Sequence, residues 1–214
     1  MHVYLIQNDD EFPSVTLAND DPNGLLATGG DLGKDRLLSA YSQGIFPWYS
    51  EGEPILWWSP HPRSVLFPEA IKISRSLKKT LKKQVLSVTT DRAFSDVIRA
   101  CAEPRNGDAN TWINYDMIKA YEHLHAHGYA HSIEAWEGES LVGGLYGIAL
   151  GRVFFGESMF SRVSDASKVA FVCLVKQLKI WGCQNWYWCL PIASPVMKLI
   201  SGQPVRMIFL IRPW

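Results

Sequence analysis

Between Ile71 and Thr90 the chain carries six cations, Lys72, Arg75, Lys78, Lys79, Lys82 and Lys83, and no acid. On a helix, Lys78, Lys79, Lys82 and Lys83 share a face and Arg75 joins them through i,i+3 and i,i+4 neighbours. Like charges at that spacing repel, so the cluster weakens its own helix unless an anion lies against it. A solvated lysine face is one reading; among ligands, RNA phosphate fits best. His123, His125, His127 and His131 form a second group. Only His123 and His127 share a helical face, no Glu follows the first as in a zinc-protease helix, and no Cys is near, so packing and surface roles are expected and no metal site. The run Leu141-Val-Gly-Gly-Leu-Tyr-Gly-Ile-Ala-Leu-Gly151 lacks the Gly-Lys-Ser/Thr ending of a phosphate loop. Its glycines lie inside a strand pattern, which predicts a bulge or close backbone approach, with room for a bulky group against the sheet. Gly156-Glu157 follows the apolar strand Val153-Phe154-Phe155, where an acid is either a helix-capping device or a site residue. There is no Gly-x-Ser-x-Gly elbow, and no Ser/His/Asp set follows from spacing.

The elements that must position these residues fall into two textures. The first sixty residues are dense in Pro and Gly, with turns at Asp21-Pro22-Asn23-Gly24, Gly29-Gly30-Asp31 and Phe46-Pro47-Trp48. A strand-like run, Met1 to Ile6, and one helix, Asp35 to Gln43 with Gly44 as its stop, stand out there. After Pro60-His61-Pro62 helices and strands alternate. Ser74 to Lys83 is an amphipathic helix with Leu77 and Leu81 inward, Ser87 to Asp91 a strand, and Ala93 to Ala102 a helix. Asn114 to His127 is a helix with Ile118, Tyr121, Leu124 and His125 along one stripe. Strands follow at His131 to Glu137, Leu141 to Leu150 and Arg152 to Gly156, turning at Gly138-Glu139 and Gly151, hence an antiparallel meander. A helix from Ser167 to Trp181 comes next. The order predicts an α+β fold with helices on an antiparallel or mixed sheet.

The bulk composition excludes little beyond a polyanion sponge. The 214 residues hold 21 Lys+Arg and 21 Asp+Glu, 47% hydrophobic and 12% aromatic residues, an ordinary globular balance. No leader or spanning segment is read, so a cytoplasmic protein without a membrane is expected. Cys101, Cys173, Cys183 and Cys189 are expected to be buried structural thiols.

The order of several blocks is more specific than any one of them. Gly24-Leu-Leu-Ala-Thr-Gly-Gly-Asp-Leu32, Tyr41-Ser-Gln-Gly-Ile-Phe-Pro-Trp48 and Ile55-Leu-Trp-Trp-Ser-Pro-His-Pro-Arg63 come first. Gly107, Thr111-Trp-Ile113, Ala130-His-Ser-Ile-Glu134, Leu141-Val-Gly-Gly144, Phe155-Gly-Glu-Ser-Met-Phe-Ser-Arg162 and Ala166-Ser-Lys168 follow. In these blocks the chain resembles the leucyl/phenylalanyl-tRNA–protein transferases over residues 1 to about 181. The resemblance implies an α+β fold in two parts: a small N-terminal domain, residues 1–62, and a GCN5-related N-acetyltransferase-like domain, residues 63–214, with a mixed, largely antiparallel sheet and flanking helices. It implies transfer of Leu or Phe, with Met as a further donor, from aminoacyl-tRNA to proteins beginning with Arg or Lys, marking them for N-end-rule degradation. A monomer using no metal or organic cofactor is implied, and the absence of a coenzyme A loop of the Arg/Gln-x-x-Gly-x-Gly/Ala type fits an aminoacyl-tRNA donor. By the same resemblance Trp48 and Trp112 flank the aminoacyl-adenosine end, and Leu145, Phe155 and Ser158 shape the pocket for Leu or Phe. Glu157 sits by the reacting groups, and Arg75, Lys78, Lys79, Lys82 and Lys83 take acceptor-stem phosphates.

The family pattern is lost beyond Trp181. An Asp-Cys-Gln strand ending and a His-Leu-x-Ser-Leu-Gly-Ala stretch are expected, and Gly182-Cys-Gln-Asn-Trp-Tyr-Trp-Cys-Leu-Pro stands instead. Asp165 is the last acid, although an even share of the 21 would put about five after it. Read two bases out of frame, Asn185-Trp-Tyr-Trp-Cys189 must encode Leu-Val-Leu-Val, a good strand. A frame change in residues 182–214 is therefore expected, with a tRNA-binding but catalytically impaired protein as the alternative to an active transferase.

Overall fold

The computed structural model describes residues 2–63, 65–104 and 111–180; the expectations for Gly107, Cys183, Cys189 and the 182–214 tail lie outside them. The architecture is α+β, and the chain divides into two compact units, one of 1–62 with 102–124, the other of 63–101 with 125–214.

The first unit is built on a four-stranded mixed sheet in the order β1-β2-β4-β3, with β1 Tyr4–Ile6, β2 Leu25–Gly29, β3 Phe46–Pro47 and β4 Leu56–Trp58. β1 runs parallel to β2, and the other pairs are antiparallel. Only the first of these strands was expected; the rest are two to five residues long and sit among turn residues, too short for a periodic signal. Trp57 is fully buried, donates its indole N–H to Gly29 O at 2.9 Å and meets Phe12 edge-on. The helix α1, Lys34–Ser42, buries Leu37, Ala40 and Tyr41. Its Arg36 binds the carbonyls of Gln7, Asn8 and Asp10 and so ties down the N-terminal loop.

Most of the helix α4, Tyr115–Ala126, also belongs to this unit, although the sequence reading placed it with the second. Two contacts explain the assignment. The Tyr121 and Tyr41 hydroxyls meet at 2.5 Å in the core, and Asn114 bonds the Tyr49 hydroxyl. Burial raises the Tyr49 pKa, partly offset by that bond to Asn114. Asn114 also caps α4 by accepting from Met117 N at 2.9 Å.

The second unit is an antiparallel meander, β5 Ser87–Thr90, β6 Ala130–Glu137, β7 Ser140–Leu150 and β8 Val153–Ser161, in sequence order. The turns fall at Gly138 and Gly151, both at positive φ where a side chain is strained. The helix α5, Ala166–Ile180, covers one face through Ala170, Phe171, Leu174 and Leu178 against Ile133, Ala135, Leu145 and Phe154. The helix α3, Phe94–Ala102, lies on the other face, with Phe94 edge-on to Tyr146 at 5.9 Å. The helix α2, Arg75–Lys83, docks by Leu77 on Val169 and Val172 of α5, with Leu81 packed alongside. Ser74 starts it as N-cap, accepting from Leu77 N at 3.2 Å. No helix among the described residues is long and apolar enough to cross a membrane.

Candidate functional site

Glu157 is not beyond the strand, as the sequence suggested, but inside it. β8 continues to Ser161, so the helix-capping alternative falls. Opposite it, β7 advances one residue from Tyr146 to Gly147 while β8 goes from Ser158 to Gly156, which makes Glu157 the extra residue of a bulge. Bulges of this kind re-aim a side chain at the cost of local ladder bonds. Here the re-aimed residue is a glutamate only 5% exposed. A buried carboxylate is poorly hydrated and binds an ammonium or guanidinium more firmly than it would in water.

The glycines of β7 bring about this geometry. A Cβ on Gly147 would stand 2.2 Å from Phe155 O, and one on Gly143 would stand 2.5 Å from the Ala166 methyl at the start of α5. On Gly144 it would meet Ile133 O at 2.8 Å, with Phe160 and Val97 close behind. The strand pattern predicts a bulge or close backbone approach at these glycines, and β7 has close approach at all three with the bulge opposite Gly147. The room they leave is filled by the protein itself, so the expected space for a bulky ligand is not there.

Leu145, Phe155 and Ser158 are not gathered on one surface. Leu145 is fully buried in the core under α5, opposite Met159. Ser158 pairs with Tyr146 and Phe155 with Ile148, residues that alternate with Leu145 and therefore face the other side of the sheet. Tyr146, fully buried against Phe94, belongs to that second face. Its only sequence signal is its alternation with Leu145.

Trp48 and Trp112 lie in the first unit together, which the expected domain boundary had separated. Both are half-buried. Trp48 is held by its backbone, N to Leu56 O at 2.9 Å, and its carbonyl accepts the Trp58 indole N–H at 2.7 Å with the rings tilted 62°. Trp112 sits in the turn leading to α4, next to Thr111, whose hydroxyl accepts from Ile113 N.

Arg75, Lys78, Lys79, Lys82 and Lys83 are all exposed on α2. Asp165, at φ 66°, holds that helix to α5 by accepting from Lys168 Nζ at 2.7 Å and Thr80 Oγ1 at 3.1 Å. The Lys168 bond, opposed by partial burial and aided by Thr80, keeps the Asp165 carboxyl below its usual range.

Of the four histidines His131 turns to a carboxylate, with His125 nearby but bonded to the backbone. Asp91, at φ 57°, accepts from His131 Nδ1 at 2.8 Å and from Ser132 N at 2.8 Å; His125 Nδ1, 3.9 Å from Asp91, bonds the Ala130 carbonyl at 2.8 Å instead. The bond to Asp91 raises the His131 pKa against the effect of burial. Burial pushes Asp91 up, but the bonds from His131 and Ser132 and the charges of both histidines outweigh it, and its pKa is lowered. Glu134 is fully buried beside them, accepting from Ser132 Oγ at 2.5 Å and Thr89 Oγ1 at 2.6 Å, with Ala93 N at 3.4 Å ahead of α3. Of the thiols, Cys101 is buried, and Cys173 is half-buried with its pKa raised by burial.

Comparison with known proteins sets these features in a family. The chain matches the model of the leucyl/phenylalanyl-tRNA protein transferases over residues 65–189 and that of their N-terminal domain over residues 30–61. It is 60% identical over 171 residues to the leucyl/phenylalanyl-tRNA–protein transferase of Cellvibrio japonicus, covering 80% of this chain and 73% of that one. To the enzyme of Nitrosospira multiformis it is 61% identical over 177 residues, 83% and 76% of the two chains. A solved structure of L-PGS from Bacillus licheniformis aligns with 79% of this chain and 54% of its own at 10% identity and a TM-score of 0.42, too slight a likeness to carry an argument. With both domains of the family matched and identities near 60% over about four fifths of its length, this chain belongs to the leucyl/phenylalanyl-tRNA–protein transferase family of aminoacyltransferases.

Proposed function

We propose that the protein transfers Leu or Phe, with Met as a further donor, from aminoacyl-tRNA to the α-amino group of proteins beginning with Arg or Lys, marking them for N-end-rule degradation in the cytoplasm. The observation that carries this reading beyond family membership is the buried carboxylate of Glu157 at the β8 bulge. Its role is to orient the acceptor's ammonium or its cationic side chain. The ester on the tRNA is already activated, and an α-amine of pKa about 7.7–8.0 is partly neutral near neutral pH, so placement supplies most of what the reaction needs. Modest base assistance and oxyanion stabilisation complete it.

In this reading Trp112 stacks on the terminal base, a contact worth about 1–3 kcal/mol in single-strand binders, and Trp48 flanks it. Phe155 and Ser158, on one face of the sheet, act on the donor side chain directly; Leu145 shapes that surface from the core behind. Arg75, Lys78, Lys79, Lys82 and Lys83 take acceptor-stem phosphates, recognising RNA by shape. The second unit, a meander with α3 and α5 on its two faces, is the part we assign to the GCN5-related N-acetyltransferase type.

The test is transfer of labelled Leu from charged tRNA to a peptide beginning with Arg, with tRNA binding measured in parallel. Wild-type transfer, lost in Glu157→Gln while tRNA binding persists, is the expected result; undiminished transfer by Glu157→Gln removes that residue's role. One observation favours a second reading, a tRNA-binding but catalytically impaired form: no Asp-Cys-Gln ending follows α5 in the sequence. Binding without transfer by the wild-type chain selects it.

A further inference from the structure

We infer that Lys176 and Lys179 of α5 extend the RNA-binding face of α2, so that the groove between the two helices seats a phosphodiester segment of the tRNA. The inference rests on the reading of this chain as an aminoacyl-tRNA user and adds to it a second contact surface. The groove, about 310 Å³, is lined by Ile71, Ile73, Val172 and Val175 together with Lys78, Lys176 and Lys179; Val172 and Val175 are buried, so its accessible apolar surface comes from the half-buried Ile71 and Ile73.

Charge selects the occupant. The sequences of α2 and α5 together contain eight cations and no acid. Asp165, just ahead of α5, is already engaged by Lys168 and Thr80. Among the described residues no carboxylate pairs with Lys78, Lys176 or Lys179, and all three are exposed. Two packed helices of one sign repel along their shared edge, a cost that a polyanion lying in the groove removes. The half-buried Ile71 and Ile73 suit a sugar-phosphate chain as well, offering apolar surface to the C–H face of a ribose beside the exposed lysines. Lys176 and Lys179, one helical turn apart at about 4.5 Å of rise, present two heads toward successive phosphates.

Salt dependence tests this, because each phosphate neutralised contributes about 0.9 to the slope of log affinity against log salt. Binding of deacylated leucine tRNA to the full chain is measured from 50 to 200 mM salt for wild type, Lys176→Ala/Lys179→Ala, Lys176→Arg/Lys179→Arg, and Lys82→Glu/Lys83→Glu. The expected result is a slope shallower by about 1.8 for the alanine pair, so that its deficit shrinks about tenfold between the two salt concentrations, with the arginine pair restoring the wild-type slope. An unchanged slope in the alanine pair, with binding lost in the α2 variant, overturns the inference and leaves the reading of α2 standing. Binding of phosphatidylglycerol vesicles through these lysines without any of tRNA overturns it in favour of a lipid surface. A wild-type chain that binds no tRNA overturns the underlying reading and the inference with it.

Discussion

Gly147→Ala puts a methyl group where the fold has backbone. The new Cβ would lie 2.2 Å from Phe155 O and 2.6 Å from Phe154 Cε1, whereas ordinary contact begins at 3.4 Å. The oxygen is main chain of the paired strand and cannot rotate away, so β7 and β8 must part by about 1 Å against a normal strand spacing of about 4.8 Å. Overpacking of this kind costs about 1–3 kcal/mol, and the stiffer unfolded chain returns about 0.4–1 kcal/mol, leaving a net loss of about 1–2 kcal/mol. With a urea dependence of about 1–3 kcal/mol per molar, the midpoint should fall by roughly 1 M. Phe155 is two residues from Glu157, so the same displacement moves the carboxylate, and a 1 Å error in a positioning group costs about 100-fold in rate. Urea unfolding followed by circular dichroism and the labelled-Leu transfer assay read the two effects. Gly151→Ala is the control: at φ +58° with nothing within 4 Å of its Cβ, it should lose about 1–2 kcal/mol through backbone strain alone and keep the wild-type transfer rate. A Gly147→Ala protein with wild-type midpoint and rate would refute the argument that this glycine exists to admit Phe155 and set Glu157.

Three further outcomes follow from the same geometry. His131→Gln should flatten the pH dependence of stability. The raised His131 stabilises the fold fully below its unfolded pKa of about 6.5 and less as pH rises through its folded value, while the lowered Asp91 stabilises above about 3.9 and less as pH falls, so the pair contributes most between those limits. Urea midpoints from pH 3 to 9 check this, and equal profiles for variant and wild type would reject the pairing. Asp165→Ala removes the bonds to Lys168 and Thr80 and should loosen α2 from α5, seen as faster amide exchange in residues 75–83 and weaker tRNA binding; unchanged exchange would show that Leu77 alone anchors the helix. Resequencing the gene across codons 182–214 should reveal a frame change whose correction restores acids to the tail, and the same tail in an intact frame among close relatives would count against it.

What the sequence determined by itself is what local chemistry specifies. The Ser74 cap and the Leu77/Leu81 stripe place the basic helix within a residue of where it lies, and Gly138 and Gly151 mark the two turns of the meander because only glycine sits easily at φ near 60°. The motif blocks place the chain in its family for the same reason: they are read residue by residue. Tertiary structure decided what depends on partners distant along the chain. The N-terminal sheet joins Tyr4 to Ala27 and Leu25 to Trp58, pairings that no short strand announces. In sequence Gly156 resembles the end of β8, yet opposite Gly147 it is part of a bulge that lets the strand run on to Ser161. α4 goes with the first unit through Tyr121 meeting Tyr41 eighty residues away. The cationic surface of α2 was legible as a charge run, but its continuation onto Lys176 and Lys179 required knowing which face of α5 the apolar contact with Val169 and Val172 buries. Alternation gives each residue a side of its strand or helix, and only packing says what lies against that side.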